Sequence, residues 1–350
     1  MKKFNRRNFI GTSLAGAASL GAFQSTNADA DATTDPQTSS GNPCNPRTHE
    51  AMPTRSFGKT GFKVGILSLG GQATLEREGT EAESEAIINR ALDLGVNYID
   101  TAAAYGRGIS QRNIGRVMKT RRREAWLSTK THDRSYDGSM RLLEESLKLL
   151  QTDHLDLWQL HNIQRQDQID QIFGQDGAIK AMEKARDEGI VRHLGITGHY
   201  EPLVLLRAIR NYPFDAILMA LNAADPHYLS FRKHLLPEAQ RLGMAIIGMK
   251  VATRGRMLST WTPPPVEEQP ARMATPLPGT LTIAEALRYN MSLPVSTTII
   301  GIDNVSQIEE NVRIASGFSP LPEDELAALE FKTLPIVRQG LYFRRWDLGA

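Results

Sequence analysis

Four side chains able to move or hold a proton stand at the ends of successive short apolar runs. Asp100 closes the run Val96 to Asp100, Tyr105 lies just beyond it, Lys130 closes Ala125 to Lys130, and His161 closes Leu155 to His161. A free phenol, with a pKa of about 10, is a poor acid near neutrality, but a neighbouring ammonium favours the phenolate. Lys130 is therefore expected to lower the pKa of Tyr105. Asp100 would pair with Lys130 and fix its charge, while His161 would hydrogen-bond a substrate oxygen, so that a carbonyl is polarised as it is reduced. Proton transfer of this kind contributes roughly a hundred- to ten-thousand-fold in rate. Taken singly, each residue has a plainer use: Asp100 as a loop cap, Tyr105 as a rim aromatic, Lys130 as a solvated strand end, His161 as a satisfied core histidine. Their common placement favours chemistry.

The elements that must position these groups follow a βα rhythm. Eight β-prone runs alternate with segments of helical period: Ile66 to Leu69, Val96 to Asp100, Ala125 to Lys130, Leu155 to His161, His193 to Thr197, Ala216 to Leu221, Met244 to Met249 and Thr297 to Ile302. Such alternation predicts a parallel sheet with helical crossovers. Periodicity alone allows an open doubly wound sheet, but Gly70 and Gly71 after the first run do not make GxGxxG and no Walker sequence occurs, so a (β/α)8 TIM barrel is preferred. A small N-terminal β-hairpin is expected from Arg55 to Phe57 and Phe62 to Gly65 around Gly58 to Gly61. Thr80 with Glu83 and Thr282 with Glu285 have capping-box spacing, and Gly95 and Gly189 suit left-handed helix ends. The proline-rich stretch Arg254 to Gly279 would be a long loop on the catalytic face of a barrel.

The ordered motifs NYIDTAAAYGRGISQRNIG, LSTK and DLWQLH resemble the aldo/keto reductase family, whose signature reads DTAxxYGxxxSExxxG; the match runs over most of residues 52 to 316. The resemblance implies that Asp100, Tyr105, Lys130 and His161 are a catalytic tetrad, with Tyr105 the proton donor in NAD(P)(H)-dependent reduction of an aldehyde or ketone, or the reverse. GIVRHLGITGH is similar to the family's fifth-strand segment, and TIIGIDNVSQIEEN to its final strand and nucleotide loop. These imply cofactor contacts at Asp100, Thr197, Gly301, Glu310 and Asn311, with NADP(H) ahead of NAD(H). The chain departs from the family pattern in several places. Gly301, Ile302 and Gln307 stand where Lys and Arg commonly meet the 2′-phosphate. Thr197 and Gly198 replace Ser-Asn, Leu218 replaces a glutamine, and Met249 with Lys250 replaces a tyrosine.

At 350 residues and 41% hydrophobic, the chain can fold as one catalytic unit, and a net charge of +2 gives no field that would attract nucleic acid. The run Arg121, Arg122, Arg123 reads as the basic end of a helix that begins near Ser110. The single cysteine, Cys44, excludes an intramolecular disulfide and a thiolate cluster, and no metal site is expected. Lys2, Lys3, Arg6 and Arg7, the Gly/Ala-rich stretch Phe9 to Phe23, and Ala28, Asp29, Ala30 form the three parts of a signal peptide with a twin-arginine pattern. The expected division is a signal peptide at 1–30, a flexible linker at 31–51, the barrel at 52–334 and a C-terminal tail at 335–350. Cleavage near Ala30 or Ala32 would leave no membrane span, and a protein exported by the twin-arginine machinery to the periplasm or another extracytoplasmic compartment. The expected partners are that machinery and a small carbonyl or alcohol substrate. Two other readings stay open: a nicotinamide-binding sensor or partner protein with little turnover, and a cofactor-free hydrolase or lyase using Asp100, Lys130 and His161.

Overall fold

In a computed structural model that describes residues 41–269 and 276–346, the eight apolar runs become eight parallel strands closed into a barrel. After the antiparallel hairpin β1 (Thr54–Ser56) and β2 (Lys63–Gly65), the barrel strands are β3 (Leu67–Ala73), β4 (Tyr98–Asp100), β5 (Trp126–Thr131), β6 (Leu155–Leu160), β7 (Val191–Gly198), β8 (Ala216–Ala220), β9 (Ala245–Met249) and β10 (Thr297–Ile302). They pair in chain order, and β10 returns to β3 with Thr298 beside Leu67 and Ile300 beside Leu69. Runs such as Ile217, Leu218 and Met219 are buried because a parallel strand is covered by side chains within the barrel and by helices outside it.

Local signals hold in most places. Gly95 and Gly189 adopt φ of +85° and +71° at helix ends, and Thr282 and Glu285 form a reciprocal capping box. Thr80 and Glu83 do not. The Thr80 hydroxyl donates instead to the carbonyls of Thr74 and Arg77, at 2.8 and 2.9 Å, so it is taken up by the preceding turn.

Two end segments behave differently from their composition. The described part of the expected linker, residues 41–51, packs on the barrel's base: Asn45 Nδ2 donates to Leu92 O and Val96 O, and Thr48 Oγ1 to Gly95 O. Its polar side chains thus donate to carbonyls at and just beyond the end of helix Glu81–Asp93. At the other terminus, the expected tail turns through Val337–Gly340 and crosses the barrel mouth, burying Leu341, Phe343 and Arg344. The predicted signal peptide, its cleavage site and residues 31–40 lie outside the described residues, and among those described no helix is long and apolar enough to cross a membrane.

Candidate active site

The four proton-handling residues converge at the C-terminal ends of β4, β5 and β6. Asp100 is the last residue of β4, Lys130 the fifth residue of β5, and His161 the first beyond β6. Tyr105 opens the turn Tyr105–Gly108, where Gly106, Arg107 and Gly108 all have positive φ. A Cβ at Gly106 would lie 2.2 Å from the Glu76 carbonyl oxygen, so glycine is required for this approach. In the first turn of helix Ile109–Arg121 stands Ser110, whose hydroxyl donates to Gly71 O at 2.7 Å and lies 2.8 Å from Thr101 Oγ1. The turn carrying the phenol is thus tied to β3 and to the end of β4.

Lys130 uses its donors in three directions. Its Nζ forms a buried ion pair with Asp100 Oδ2, donates to Thr101 O at 2.7 Å, and donates to Tyr105 Oη at 3.4 Å. Because the phenol oxygen accepts from Lys130, its own proton is free to be donated elsewhere. The second oxygen of Asp100 accepts from Gln159 Nε2 at 3.1 Å and lies 3.5 Å from the Tyr98 hydroxyl; Gln159 also donates to Ser128 at 2.8 Å. The Tyr105 and His161 rings meet edge to face, with centroids 5.6 Å apart. The backbone of His161 is held by Thr131 O and by Arg134 Nη2, which donates to His161 O at 2.7 Å.

The electrostatics reverse one expectation. Burial pushes the Tyr105 phenol above its ordinary pKa, and the opposing pull of Lys130 does not overcome it. The phenol is therefore held as a proton donor. Burial depresses the Lys130 ammonium, but the attraction of Asp100 and Tyr105 outweighs this and leaves it above its ordinary value. Burial, reinforced by the charge of Lys130, pushes His161 well below the usual histidine range, so its imidazole is neutral.

A cavity of about 750 Å³ opens over Tyr105 and His161, large enough for a nicotinamide ring and a small substrate. Thr197 lines it, as do Met249 at the end of β9, Lys250 and Arg254 from the segment after it, and Phe343, Arg344 and Trp346 from the C-terminal segment. Gly301, Glu310 and Asn311 sit apart from it, on β10 and on helix Val305–Ser316, which Asn304 caps. The departure at Gly198 has a steric counterpart, since a Cβ there would fall 2.7 Å from Ile163 O.

A model of the aldo/keto reductase family matches residues 63–332. The chain belongs to the aldo/keto reductase family. It is 26% identical over 325 residues to the uncharacterized oxidoreductase YqkF of Bacillus subtilis, covering 83% of this chain and 98% of that protein. To L-galactose dehydrogenase of Arabidopsis thaliana it is 26% identical over 313 residues, 80% of this chain and 93% of the relative. Among solved structures, the holo form of aldo-keto reductase AKR11C1 from Bacillus halodurans superimposes with a TM-score of 0.65 at 25% identity, over 80% of this chain and 96% of that one. This aldo/keto reductase is an oxidoreductase enzyme.

Several residues of the site were not singled out from the sequence. Gln159 is a lone amide within an apolar parallel strand, which is a readable signal of a buried polar network. The link from Lys250 Nζ to Gln72 Oε1, 3.1 Å long, joins β3 to the segment after β9 and has no local signature.

Proposed function

We propose that this aldo/keto reductase reduces a small aldehyde or ketone, or oxidises the matching alcohol, with Tyr105 as general acid and base. The observation that carries this reading is the single buried ammonium of Lys130 bridging the carboxylate of Asp100 and the phenol oxygen of Tyr105, the residue of the three that lines the cavity. The bound nicotinamide supplies or accepts hydride. Tyr105 donates its proton to the carbonyl oxygen, and the ammonium of Lys130 stabilises the phenolate that remains. Asp100, braced by Gln159, holds that ammonium in place and offsets its burial. Neutral His161 is able to donate a hydrogen bond to the same carbonyl oxygen without carrying charge.

The residues present fit a phosphate-bearing dinucleotide. Lys250 and Arg254 bring positive charge to the cavity, Gly301 stands next to last in β10 without a side chain, and helix Val305–Ser316 offers an N-terminus suited to phosphate. Thr197 would meet the nicotinamide end, and Glu310 with Asn311 the adenine end. Gly301, Ile302 and Gln307 provide no cation for a 2′-phosphate, so NADP(H) is proposed on the family's general habit and NAD(H) is the comparison to run. The test is carbonyl-dependent oxidation of NADPH and NADH by the purified protein. Turnover supports the reading, and tight nucleotide binding with none would favour a sensor.

The basic, apolar and small-residue pattern of residues 1–30 supports a further part of the reading, export of the folded protein by the twin-arginine route with cofactor already bound. Arg6→Lys together with Arg7→Lys is expected to retain the protein in the cytoplasm. Nucleotide should be released when the exported protein is denatured. An empty exported protein would contradict loading before transport.

A further inference from the structure

The chemistry described above uses Lys250 only for its charge, yet among the described residues it is the one lysine lining the cavity over Tyr105 and His161. It is the first residue beyond β9, on the catalytic rim, and keeps part of its surface exposed. Its backbone is fixed: φ is +62°, and its carbonyl accepts from Asn222 Nδ2 at 3.1 Å and from Thr253 Oγ1 at 3.0 Å. Nζ donates to a neutral amide, Gln72 Oε1, and among the described residues no ion pair joins it to a carboxylate. Glu76, the one carboxylate on the cavity wall, is taken up by Arg254 at 3.5 Å and Gln72 Nε2 at 3.4 Å. Lys130 differs in the point that matters. Asp100 holds it as an ammonium, which has no lone pair to give. For Lys250, burial and then the charges of Arg254 and Lys130 work against the ammonium, the pull of Glu76 and Asp100 does not restore it, and its pKa falls to about 8. A lysine that is desolvated or set beside another cation is the kind that attacks carbonyl groups.

We propose that, in the enzyme free of dinucleotide, Lys250 is a nucleophile that captures aldehydes and ketones from the cavity as a reversible imine. This is a second chemistry of the cavity, separate from reduction at Tyr105. Nζ adds its lone pair to the carbonyl carbon, and the carbonyl π pair moves to oxygen. Both amine protons then leave with that oxygen as water, C=N replaces C=O, and nothing is oxidised or reduced. Water reverses the step. Gln72 Oε1 accepts from the nitrogen and holds it on the cavity wall. Because Lys250 also supplies charge for the dinucleotide in the reading above, a captured carbonyl blocks the nucleotide, and bound nucleotide blocks capture.

The experiment treats the full-length protein, shown free of nucleotide by its absorbance, with propanal and cyanoborohydride, which reduces an imine to a stable secondary amine. Peptide mass spectrometry then follows the propylation of each lysine at a series of pH values. Near neutral pH, Lys250 should be labelled roughly tenfold faster than Lys119, an exposed lysine of helix Ile109–Arg121, and this lead should shrink in strong base as exposed lysines also give up their protons. Saturating NADPH should slow the labelling of Lys250 and leave Lys119 unchanged; equal labelling of Lys250 with nucleotide demonstrably bound overturns the claim that the two compete. Labelling of Lys250 no faster than Lys119 overturns the inference. So does a lead that stays constant across the pH series, since it would report access to the side chain and not a released amine. No turnover enters the measurement. A protein that reduces no carbonyl yet labels first at Lys250 keeps the inference and loses the reductase reading.

Discussion

The protein buries two ion pairs at the same end of the barrel, and only one of them is poised to react. Lys130–Asp100 and Arg344–Asp225 each have side chains no more than 1% exposed. Asp225 is saturated by fixed donors: Ser230 Oγ, Phe231 N, Arg232 N and Arg344. Arg344 directs its remaining bonds to the carbonyls of His199 and Ala220. That pair clasps the C-terminal segment across the barrel mouth, and nothing in it can give up a proton to the cavity. Lys130–Asp100 is also braced, by Gln159 and Thr101 O, but the ammonium has one further contact, to a phenol that opens onto the cavity. A buried salt bridge is weak evidence for stability in itself, because desolvation offsets attraction. The difference in their third partners separates a structural clasp from the proposed catalytic relay.

That contrast can be broken from either side. Lys130→Met should lower kcat roughly a hundred- to ten-thousand-fold, because the phenolate loses its counter-charge. It should also destabilise the fold by about 3–5 kcal/mol by leaving Asp100 buried and uncompensated. Near-normal turnover, measured alongside a denaturant melt, would remove Lys130 from the relay. Arg344→Met should cost a similar amount of stability, on the order of 3 kcal/mol, because Asp225 is left without its cation. Its kinetic effect should fall on substrate KM, since the segment it anchors walls the cavity. A loss confined to kcat would make the two pairs alike.

The pH dependences sharpen the same division. Tyr105 is raised above, and His161 lowered below, their ordinary values, so the reductive rate at saturation should be flat between about pH 6.5 and 10. Lys250 is lowered to about 8, first by burial and then by the charges of Arg254 and Lys130. It is cationic below that pH and neutral above it. If it holds cofactor phosphate, dinucleotide affinity should weaken as pH rises through 8, by at most about tenfold per unit. Fluorescence titration at a series of pH values checks this, and a flat affinity would free Lys250 of the role. The smallest effect expected is from Gln307→Arg. A partly exposed Arg–phosphate contact of about 1 kcal/mol should favour NADPH over NADH roughly fivefold relative to the parent protein.

The barrel and the meeting of the four proton-handling residues were legible in the sequence for one reason. Polar residues at the ends of apolar runs must gather at one rim once parallel strands close, and Asp100, Lys130 and His161 each sit at such an end. The state of Tyr105 was not legible. An adjacent lysine argues for a lowered pKa, and only the surrounding atoms show that desolvation wins. Composition also misread residues 41–51, because Asn45 and Thr48 look like linker residues until the carbonyls they bond are in place. The C-terminal segment carried no period to betray that Arg344 would find Asp225, 119 positions earlier in the chain. Thr80 failed as a cap because nearer carbonyls compete for its hydroxyl, a contest that spacing cannot report.

The claim on which the rest depends is that the phenol of Tyr105 supplies the proton. Tyr105→Phe keeps the ring beside His161 and removes only the hydroxyl, so it can be tested against matched dinucleotide titrations and steady-state reduction of one carbonyl substrate. The account predicts unchanged nucleotide affinity and a fall in kcat of roughly a hundred- to ten-thousand-fold. A folded variant that binds nucleotide and turns over at the parent rate would contradict it.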